Sequence, residues 1–347
     1  MATMAMATME TETAETPVTD RGTDIERAAE ILRRGGLVAF PTETVYGLGA
    51  DAASDSAVAK IFTVKGRPRA HPLIVHLAEP SLDGWAREVP EAATQLARWF
   101  WPGPLTLILR RGPSVASATT GGADTVGLRV PAHPMALALL RAFGGGVAAP
   151  SANRFGAVSP TTADHVASDL GADVDYVLDG GACDVGVEST IVDLSRGPAV
   201  LLRPGGLARE EIERVTGPLQ SADAHAPTAP GTLASHYAPR ARVYAVSIVE
   251  VPTAITSVRA NTESAPRVAV LAPAAAFALW PSEAIAHTEQ RALPDDAAGM
   301  ARELYAALRD LDASGVDVVI AALPPAAGLG EAVGDRLLRA AGPRDKP

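Results

Sequence analysis

The segment Lys65-Gly66-Arg67-Pro68 places two cations around a glycine at the end of a predicted helix. Only three of the 30 lysine and arginine residues in the chain are lysines, and an ammonium group does chemistry that a planar guanidinium does not. Two such cations can neutralise the charge that develops on a leaving pyrophosphate. They can equally complement the negative end of the helix dipole. The segment alone therefore leaves a triphosphate clamp and an ordinary helix end as alternatives.

Arg129 is the one charged residue at the end of an apolar strand predicted over residues 126–130. An arginine at the buried end of a strand needs a carboxylate or phosphate partner. Its planar guanidinium suits the carboxylate of a substrate, held by two parallel hydrogen bonds. An internal salt bridge is the competing explanation.

Hydroxyl groups follow a second apolar strand in a candidate turn over residues 41–49 (PTETVYGLG), where Thr42 and Thr44 precede Gly47 and Gly49. Glycines allow a ligand to approach the backbone closely, so this turn can bind a substrate. A turn capped by its own hydroxyl groups explains the same residues.

Two further groups of polar residues bracket apolar strands. Ser151 and Asn153 precede Ser159 and Thr161, and these side chains can orient phosphate oxygens. A helix cap formed by Ser159 or Thr161 is the ordinary alternative. The second group joins residues 188–190 (Glu-Ser-Thr) to Arg203, again around strands that are otherwise apolar.

Several familiar kinds of site are poorly supported. The chain has no GxxxxGK[ST] loop and no GxGxxG turn opening a helix, so a nucleotide would have to bind in another way. No GxSxG turn accompanies the serines, which argues against a serine hydrolase. His71 and His76 lack a third metal ligand at typical spacing. The single cysteine, Cys183, excludes a disulfide framework and suits the cytoplasm.

Composition narrows the class of protein further. The chain has 347 residues, 47% of them hydrophobic, which is enough for one or two cores. A net charge of −10 argues against a protein that holds long stretches of nucleic acid, although one local basic cleft remains compatible with it. No apolar run is long enough to span a membrane. Residues 1–23 are expected to be a flexible leader, not a signal peptide.

These residues require elements to position them, and the hydrophobic pattern predicts an alternation of strands and helices. Residues 24–216 are predicted to form a mixed α/β domain around a twisted sheet. Its helices are expected over 24–35, 55–64, 90–100, 133–143, 161–170 and 208–215. Its strands are expected over 37–40, 73–77, 105–110, 126–130, 147–153, 175–179, 189–194 and 199–203.

Residues 217–241 interrupt this alternation, because they are rich in proline, alanine and small polar residues. We interpret them as a linker without secondary structure. A second alternation over residues 242–347 indicates a smaller, parallel α/β domain of Rossmann-like type. Its strands are expected over 243–249, 267–272 and 317–323, and its helices over 296–313 and 330–341.

Ten short motifs occur in a fixed order along the first 240 residues: PTETVYGLG, KGRP, PLIVH, WPGPLT, RVPAHP, APSAN, SPT, GVESTIVD, LLRPG and SHYAP. Together they resemble the threonylcarbamoyl-AMP synthases of the YrdC type, from about residue 24 to about residue 239. The segment GLGEAVGDRLLRAA is similar to the end of the long, Sua-type form. The resemblance implies a YrdC-like twisted mixed sheet with helices and an appended Rossmann-like domain.

The resemblance also implies a reaction. L-threonine, bicarbonate (or CO2) and ATP, with Mg²⁺ on the triphosphate, would give threonylcarbamoyl-adenylate and pyrophosphate. The product would serve a partner tRNA threonylcarbamoyl transferase that modifies the adenosine next to the anticodon. Weak direct RNA binding is compatible with such a role, and no membrane is involved. The linker would close over the site and exclude water from a mixed anhydride.

The site residues that the resemblance implies fall into three sets, the first of which is contained in the second. Lys65 and Arg67 are implied to act in catalysis. ATP contacts are implied for Lys65, Arg67, His71, Thr125, Ser151, Asn153, Ser159, Arg203 and Tyr237. Threonine contacts are implied for Thr42, Thr44, His76, Arg129, Ala149 and Ser189. No metal ligand is implied in the protein, and His71 stands where the family usually has asparagine.

Two other functions compete with this one. A YrdC-like domain could bind RNA without adenylating anything, which the net charge of −10 disfavours. A carbamoyl-adenylate enzyme of the hydrogenase-maturation type would use carbamoyl phosphate, and the chain lacks the acylphosphatase and zinc-finger regions of such proteins.

Overall fold

The computed structural model describes residues 19–260 and 265–343. Strands and helices alternate through most of this part of the chain, as predicted. The strands of the first sheet are β1 Arg21–Gly22, β2 Val38–Phe40, β3 Gly47–Asp51, β4 Ile74–His76, β5 Ala86–Arg87, β6 Leu105–Arg111, β7 Thr125–Arg129, β8 Val147–Ala148, β9 Tyr176–Leu178, β10 Thr190–Asp193, β11 Val200–Arg203 and β12 Gln220–Ser221.

The first sheet is mixed, with the order β1-β9-β2-β3-β8-β4-β7-β6-β10-β11-β12 and with β5 beside β6. β4 is parallel to β7, and β6 is antiparallel to it. The register aligns His76 of β4 with Arg129 of β7. This alignment brings two residues that are far apart in the sequence to the same edge of the sheet.

Helices cover the sheets and supply the apolar side chains of the cores. Their bounds are α1 Ile25–Arg33, α2 Asp55–Lys65, α3 Glu91–Phe100, α4 Pro134–Phe143, α5 Ala163–Leu170, α6 Arg209–Thr216, α7 Val251–Ala260, α8 Ala297–Ser314 and α9 Leu329–Ala340. Side chains cap the N-termini of several helices. The Ser54 hydroxyl does so for α2 by accepting a hydrogen bond from the Ala57 N–H. Gly66, at φ 65°, ends the same helix in the left-handed conformation.

The second sheet contains β13 Arg242–Val246, β14 Val268–Pro273, β15 Glu289–Leu293 and β16 Val318–Ala322, in the order β13-β16-β14-β15. All of its pairs are parallel, which confirms the predicted parallel α/β unit. The long helix α8 and the helix α9 pack together, and they face the first sheet through one shared apolar cluster that includes Val187, Tyr237 and Leu304.

The structure corrects the predicted boundaries in three places. Residues 1–18 of the expected leader lie outside the described part of the chain, but Arg21–Gly22 pairs with β9 and belongs to the sheet. Gln220–Ser221 pairs with β11, so the expected linker without secondary structure begins with a short strand. Gly47 and Gly49 lie in strand β3 and not in a turn.

Three further elements, strand β5, helix α7 and strand β15, were absent from the prediction. Helix α7 and strand β15 carry polar residues at many positions, and β15 is exposed along much of its length. A mostly polar edge strand has no strong period, so tertiary pairing decides its conformation.

Within the described residues, no helix is long and apolar enough to cross a membrane.

Candidate active site

One cavity, of about 520 Å³ including its open mouth, lies where strands β4, β7 and β8 end and where β10 begins. Eighteen residues line it: Thr42, Thr44, Val45, Gly47, Arg67, Ile74, His76, Arg129, Ala149, Pro150, Ser151, Glu188, Ser189, Arg203, Pro230, Gly231, His236 and Tyr237. Three of its lining residues are arginines, whereas Glu188 is the one carboxylate among them. The cavity therefore suits an anionic ligand.

The turn after β2 forms one wall of the cavity through two buried hydroxyl groups. Thr42 and Thr44 hydroxyl oxygens lie 2.8 Å apart, and the Thr42 hydroxyl donates to the Val45 carbonyl at 2.6 Å. The turn is therefore capped by its own hydroxyl group, and it also faces the cavity, where it could contact a substrate.

Arg129 extends from the end of β7 and pairs with a buried carboxylate. Its Nη2 atom lies 2.7 Å from Oε1 of Glu43, and both side chains are less than one-tenth exposed. The internal salt bridge considered as the alternative therefore exists, and the Arg129 side chain also lines the cavity.

His76 lies beside Arg129 at the end of β4 and is almost completely buried. Burial, with a smaller contribution from the Arg129 charge, lowers the pKa of His76 to about 3. The imidazole is therefore neutral at physiological pH and acts through hydrogen bonds. Its Nδ1 atom has no hydrogen-bond partner. Ala149 completes this wall without adding a polar side chain.

Arg203 crosses from β11 to the opposite wall. Its Nη2 atom donates to the Ser189 carbonyl at 2.7 Å, and its Nη1 atom donates to the Pro230 carbonyl of the linker at 2.8 Å. The Ser189 hydroxyl lies 2.8 Å from the Thr106 hydroxyl. One arginine thus joins the sheet, the cavity and the linker.

The two cations of the KGRP motif have different surroundings. Arg67 lines the cavity and stacks over Phe155, and its Nε atom has no partner. Burial lowers the pKa of Arg67 to about 10. Lys65 is not among the residues that line the cavity. Its Nζ atom donates to the Ser151 carbonyl at 2.6 Å and to the Asn153 carbonyl. Burial and the Arg67 charge hold the pKa of Lys65 well below its usual range.

The linker forms the roof of the cavity through Pro230, Gly231, His236 and Tyr237. Tyr237 adopts φ 61°, a left-handed conformation that is unusual for an aromatic residue. Its hydroxyl group is buried without a hydrogen-bond partner. Burial lowers the pKa of His236 to about 3, so this imidazole is also neutral at physiological pH.

Several predicted nucleotide contacts lie outside this cavity. The Asn153 amide donates to the Arg154 and Ala157 carbonyls, and the Ser159 hydroxyl donates to Glu188 at 2.6 Å. His71 packs edge-on against Phe155. The suggested helix cap by Ser159 or Thr161 is wrong, since Thr162 caps α5. The nucleotide contacts of these residues and of Lys65 stay predictions.

Thr125 lines a second cavity, of about 610 Å³ with its open part, together with linker residues 225, 227 and 228. Thr125 and Arg129 begin and end the same strand, β7, and therefore lie on one face of it. The linker passes over both cavities, since its residues 230 and 231 line the first. Both cavities therefore lie beneath the linker, at opposite ends of β7.

Comparison with known proteins follows the same division of the chain. Residues 30–205 match the Sua5/YciO/YrdC family model, whose description is telomere recombination. Residues 207–342 match the model for the threonylcarbamoyl-AMP synthase C-terminal domain. Threonylcarbamoyl-AMP synthase of Pyrococcus abyssi is 44% identical over 330 residues, covering 92% of this chain and 94% of the relative. The chain belongs to the threonylcarbamoyl-AMP synthase family.

Two further members of this nucleotidyltransferase family are similar to the chain over most of its length. The synthase of Bacillus subtilis is 44% identical over 92% of this chain and 93% of its own length, and that of Schizosaccharomyces pombe is 36% identical over 94% and 90%. The crystal structure of P. abyssi Sua5 complexed with L-threonine superposes with a TM-score of 0.84 at 41% identity, covering 93% of this chain and 97% of that one. The YrdC-like fold with its appended domain is therefore confirmed.

Sequence reasoning missed four contributors to the synthase site. Glu43, Phe155 and His236 each lie within two residues of a predicted site residue, so the flanking positions of the motifs carried a signal. Arg336 is a charge on the buried face of α9, beside Val333, Leu337 and Ala340. A charge at an apolar helical position was the available signal for it.

Proposed function

We propose that this chain synthesises L-threonylcarbamoyl-adenylate from L-threonine, bicarbonate or CO2 and ATP, with release of pyrophosphate. The observation that carries the proposal is the cationic, largely buried cavity with three arginines, one engaged carboxylate and a roof formed by the linker. The names of the relatives support the same activity. The threonine bound to the P. abyssi structure supports the amino-acid substrate.

We assign the threonine carboxylate to Arg129, whose guanidinium lines the cavity beside His76. The side chains of Thr42, Thr44, His76 and Ser189, with Ala149, would surround the rest of the amino acid. Neutral His76 offers hydrogen bonds without repelling the ammonium form of the substrate. A buried arginine that gains a carboxylate forms a charge-assisted hydrogen bond, which is stronger than a neutral one.

Arg67 and Arg203 are assigned to the phosphates of ATP, and the nucleoside would extend along β7 toward Thr125 and the second cavity. Ser151 lines the cavity between them. Lys65 fixes the loop that carries Ser151 and Asn153 and adds its charge when a phosphate offsets its desolvation. His71 and Ser159 would contact the nucleotide after a local rearrangement.

The chemistry then requires positioning and charge stabilisation. The neutral amine of threonine attacks the carbon of CO2 and releases a proton to give a carbamate, whereas attack on bicarbonate gives the same carbamate and releases water. A carbamate oxygen attacks the α-phosphorus of ATP, the bond to the β-phosphate breaks, and pyrophosphate leaves. Arg67 and Arg203 would stabilise the charge on the leaving group. The linker residues would exclude water from the mixed anhydride.

Mg²⁺ would enter as part of the ATP substrate. Within residues 19–260 and 265–343, no group of three histidine, cysteine or acidic side chains could hold a metal ion. The one carboxylate in the cavity, Glu188, already accepts bonds from Ser159, Tyr305 and Arg336. Magnesium usually keeps several waters and binds through substrate phosphates, which fits this arrangement.

The product would pass to a tRNA threonylcarbamoyl transferase for modification of the adenosine next to the anticodon, and the synthesis would take place in the cytoplasm. Pyrophosphate release tests the proposed reaction. Release that needs both threonine and bicarbonate supports it, and absence of such release across a range of Mg²⁺ concentrations contradicts it. Substitution of carbamoyl phosphate for threonine and bicarbonate tests the carbamoyl-adenylate alternative.

A further inference from the structure

A network of buried side chains connects the second domain to the cavity through Glu188. The Glu188 carboxylate accepts hydrogen bonds from Tyr305 of α8 at 2.8 Å and from Nε of Arg336 of α9 at 2.7 Å. On its other oxygen it accepts the Ser159 hydroxyl at 2.6 Å. Two residues of the second domain therefore bind the one acidic residue that lines the cavity.

The same two residues of the second domain hold the linker. The Arg336 guanidinium lies 5.0 Å from the centre of the Tyr237 ring, and the Tyr305 ring stacks against Tyr237 at 5.8 Å and 28°. The backbone N–H of His236 donates to the Arg339 carbonyl, at the end of α9. The linker over the cavity thus rests on the second domain along several residues.

The conformation of Tyr237 needs such support. Its φ of 61° is strained for an aromatic residue, and its hydroxyl group has no partner to hold it. A strained residue keeps its conformation only when its surroundings fix it, and the surroundings here are Arg336, Tyr305 and His236.

The protonation of the Glu188 carboxyl also depends on Arg336. Burial raises the pKa of the Glu188 carboxyl, but the charges of Arg336 and Arg203 outweigh burial and lower it to about 2. Arg336 is fully buried, and such a residue is retained only where its charge is compensated. Removing it would leave Glu188 buried without its nearest cation.

We infer that Arg336, acting together with Tyr305, is a positioning residue that fixes Glu188 and Tyr237 against the cavity, so that the second domain completes the active site. The role in catalysis rests on the proposed function. The role in holding the linker does not, because it follows from contacts in the protein alone.

Arg336→Met tests the inference, with Arg209→Met as the matched control. Arg209 of α6 pairs with Glu331 of the same helix α9 at 2.6 Å and also joins the two domains, but it touches neither Glu188 nor Tyr237. Hydrogen exchange of the amides in residues 230–238 and steady-state kinetics are measured on both full-length variants.

We expect Arg336→Met to raise exchange in residues 230–238 at least about tenfold, with no such change in Arg209→Met. We expect the KM for ATP to rise about tenfold with a smaller change in kcat, because Tyr237 would no longer be held over the nucleotide. Wild-type exchange in the linker, or equal effects of both variants on it, would overturn the inference.

Tyr305→Phe provides a second test if Arg336→Met does not fold. It removes the hydroxyl group that donates to Glu188 and keeps the ring that stacks on Tyr237. Exchange in the linker should rise by a smaller factor in the same direction, and unchanged exchange would overturn the inference. If the wild-type protein shows no threonine-dependent pyrophosphate release, the proposed function fails while the exchange measurements still decide the role of Arg336.

Discussion

Arg129 and Glu43 form a buried ion pair at the edge of the cavity, with Nη2 of the arginine 2.7 Å from Oε1 of the glutamate. Neither atom is satisfied by a hydrogen bond, although both are buried. The guanidinium also donates a hydrogen bond from Nε to the Gly103 carbonyl at 3.2 Å, which helps to hold it in place. The pair orients Arg129, whose guanidinium also lines the cavity.

Arg129→Gln is expected to raise the dissociation constant for threonine about a hundredfold, because a charge-assisted bond to the substrate carboxylate is lost. It should also lower the free energy of unfolding by roughly 3–5 kcal/mol, since Glu43 becomes an unpaired buried charge. Threonine binding is measured by titration calorimetry, and unfolding by denaturant.

The double variant Glu43→Gln/Arg129→Gln separates these two effects. It should recover most of the stability without recovering threonine binding, because the unpaired charge is gone but the guanidinium is still missing. Arg141→Gln, which breaks an exposed pair with Glu79, serves as the control. Recovery of threonine binding in the double variant would show that Arg129 does not hold the carboxylate.

Gly231→Ala and Gly217→Ala form a matched pair of linker substitutions. Both glycines have a positive φ, 72° for Gly231 and 73° for Gly217. A Cβ on Gly231 would lie 2.0 Å from the Tyr237 hydroxyl, whereas nothing lies within 4 Å of one on Gly217. Both variants should lose about 1–2 kcal/mol of stability from the backbone conformation.

The two glycine variants should differ in nucleotide binding. Only Gly231→Ala is expected to raise the KM for ATP, by about tenfold, because it displaces Tyr237 from the roof of the site. Equal KM values for ATP in the two variants would argue that the position of Tyr237 is unimportant.

Lys65→Ala is expected to lower kcat/KM at least about a hundredfold while the protein still folds. The Nζ atom holds the carbonyls of Ser151 and Asn153, so its loss frees the loop beside the proposed phosphates. Lys60→Ala is the control, since Lys60 lies on the same helix and donates only to the exposed Gly35 carbonyl. Near-normal turnover in Lys65→Ala would contradict a role for this lysine.

The pattern of the sequence predicted most strands and helices, because their apolar residues recur at the periods of the structures that they form. It predicted the residues that line the cavity through motifs at strand ends, among them Thr44, Arg129 and Arg203. It could not predict which neighbour each of them touches. Glu43 became the partner of Arg129 only through the fold, as the two are distant in the sequence.

The contacts that the second domain makes with the site were even harder to predict from the sequence. Arg336 and Tyr305 reach Glu188 across more than a hundred residues of sequence. Local propensity carries no information on such a contact, and the apolar pattern of α9 predicts only which face is buried. A buried charge on that face indicates that a partner exists without identifying it.

The stability of the protein should fall as the pH is lowered from 7 to 5.5. The pKa values of His76 and His236 are about 3 in the folded protein and about 6.5 when unfolded, so the unfolded chain binds more protons in this window. Each histidine should therefore contribute a loss of roughly 1 kcal/mol over this pH range.

Denaturant unfolding at several pH values measures this dependence. His76→Gln and His236→Gln should each flatten it, because glutamine does not titrate. Below pH 4.5 the carboxyl of Glu188, with a folded pKa of about 2, should steepen the loss, since it too takes up its proton preferentially on unfolding. An unchanged slope in the histidine variants would show that these side chains are not buried in the neutral form.

The proposed reaction is tested most directly by the mass of its product. The purified protein is incubated with MgATP, L-threonine and ¹³C-labelled bicarbonate, and the adenylate is analysed at once by mass spectrometry. We predict one adenylate that contains threonine and is heavier by the mass of a single label, formed together with pyrophosphate. An adenylate that carries no label, or no threonine-containing adenylate at all, would contradict the account.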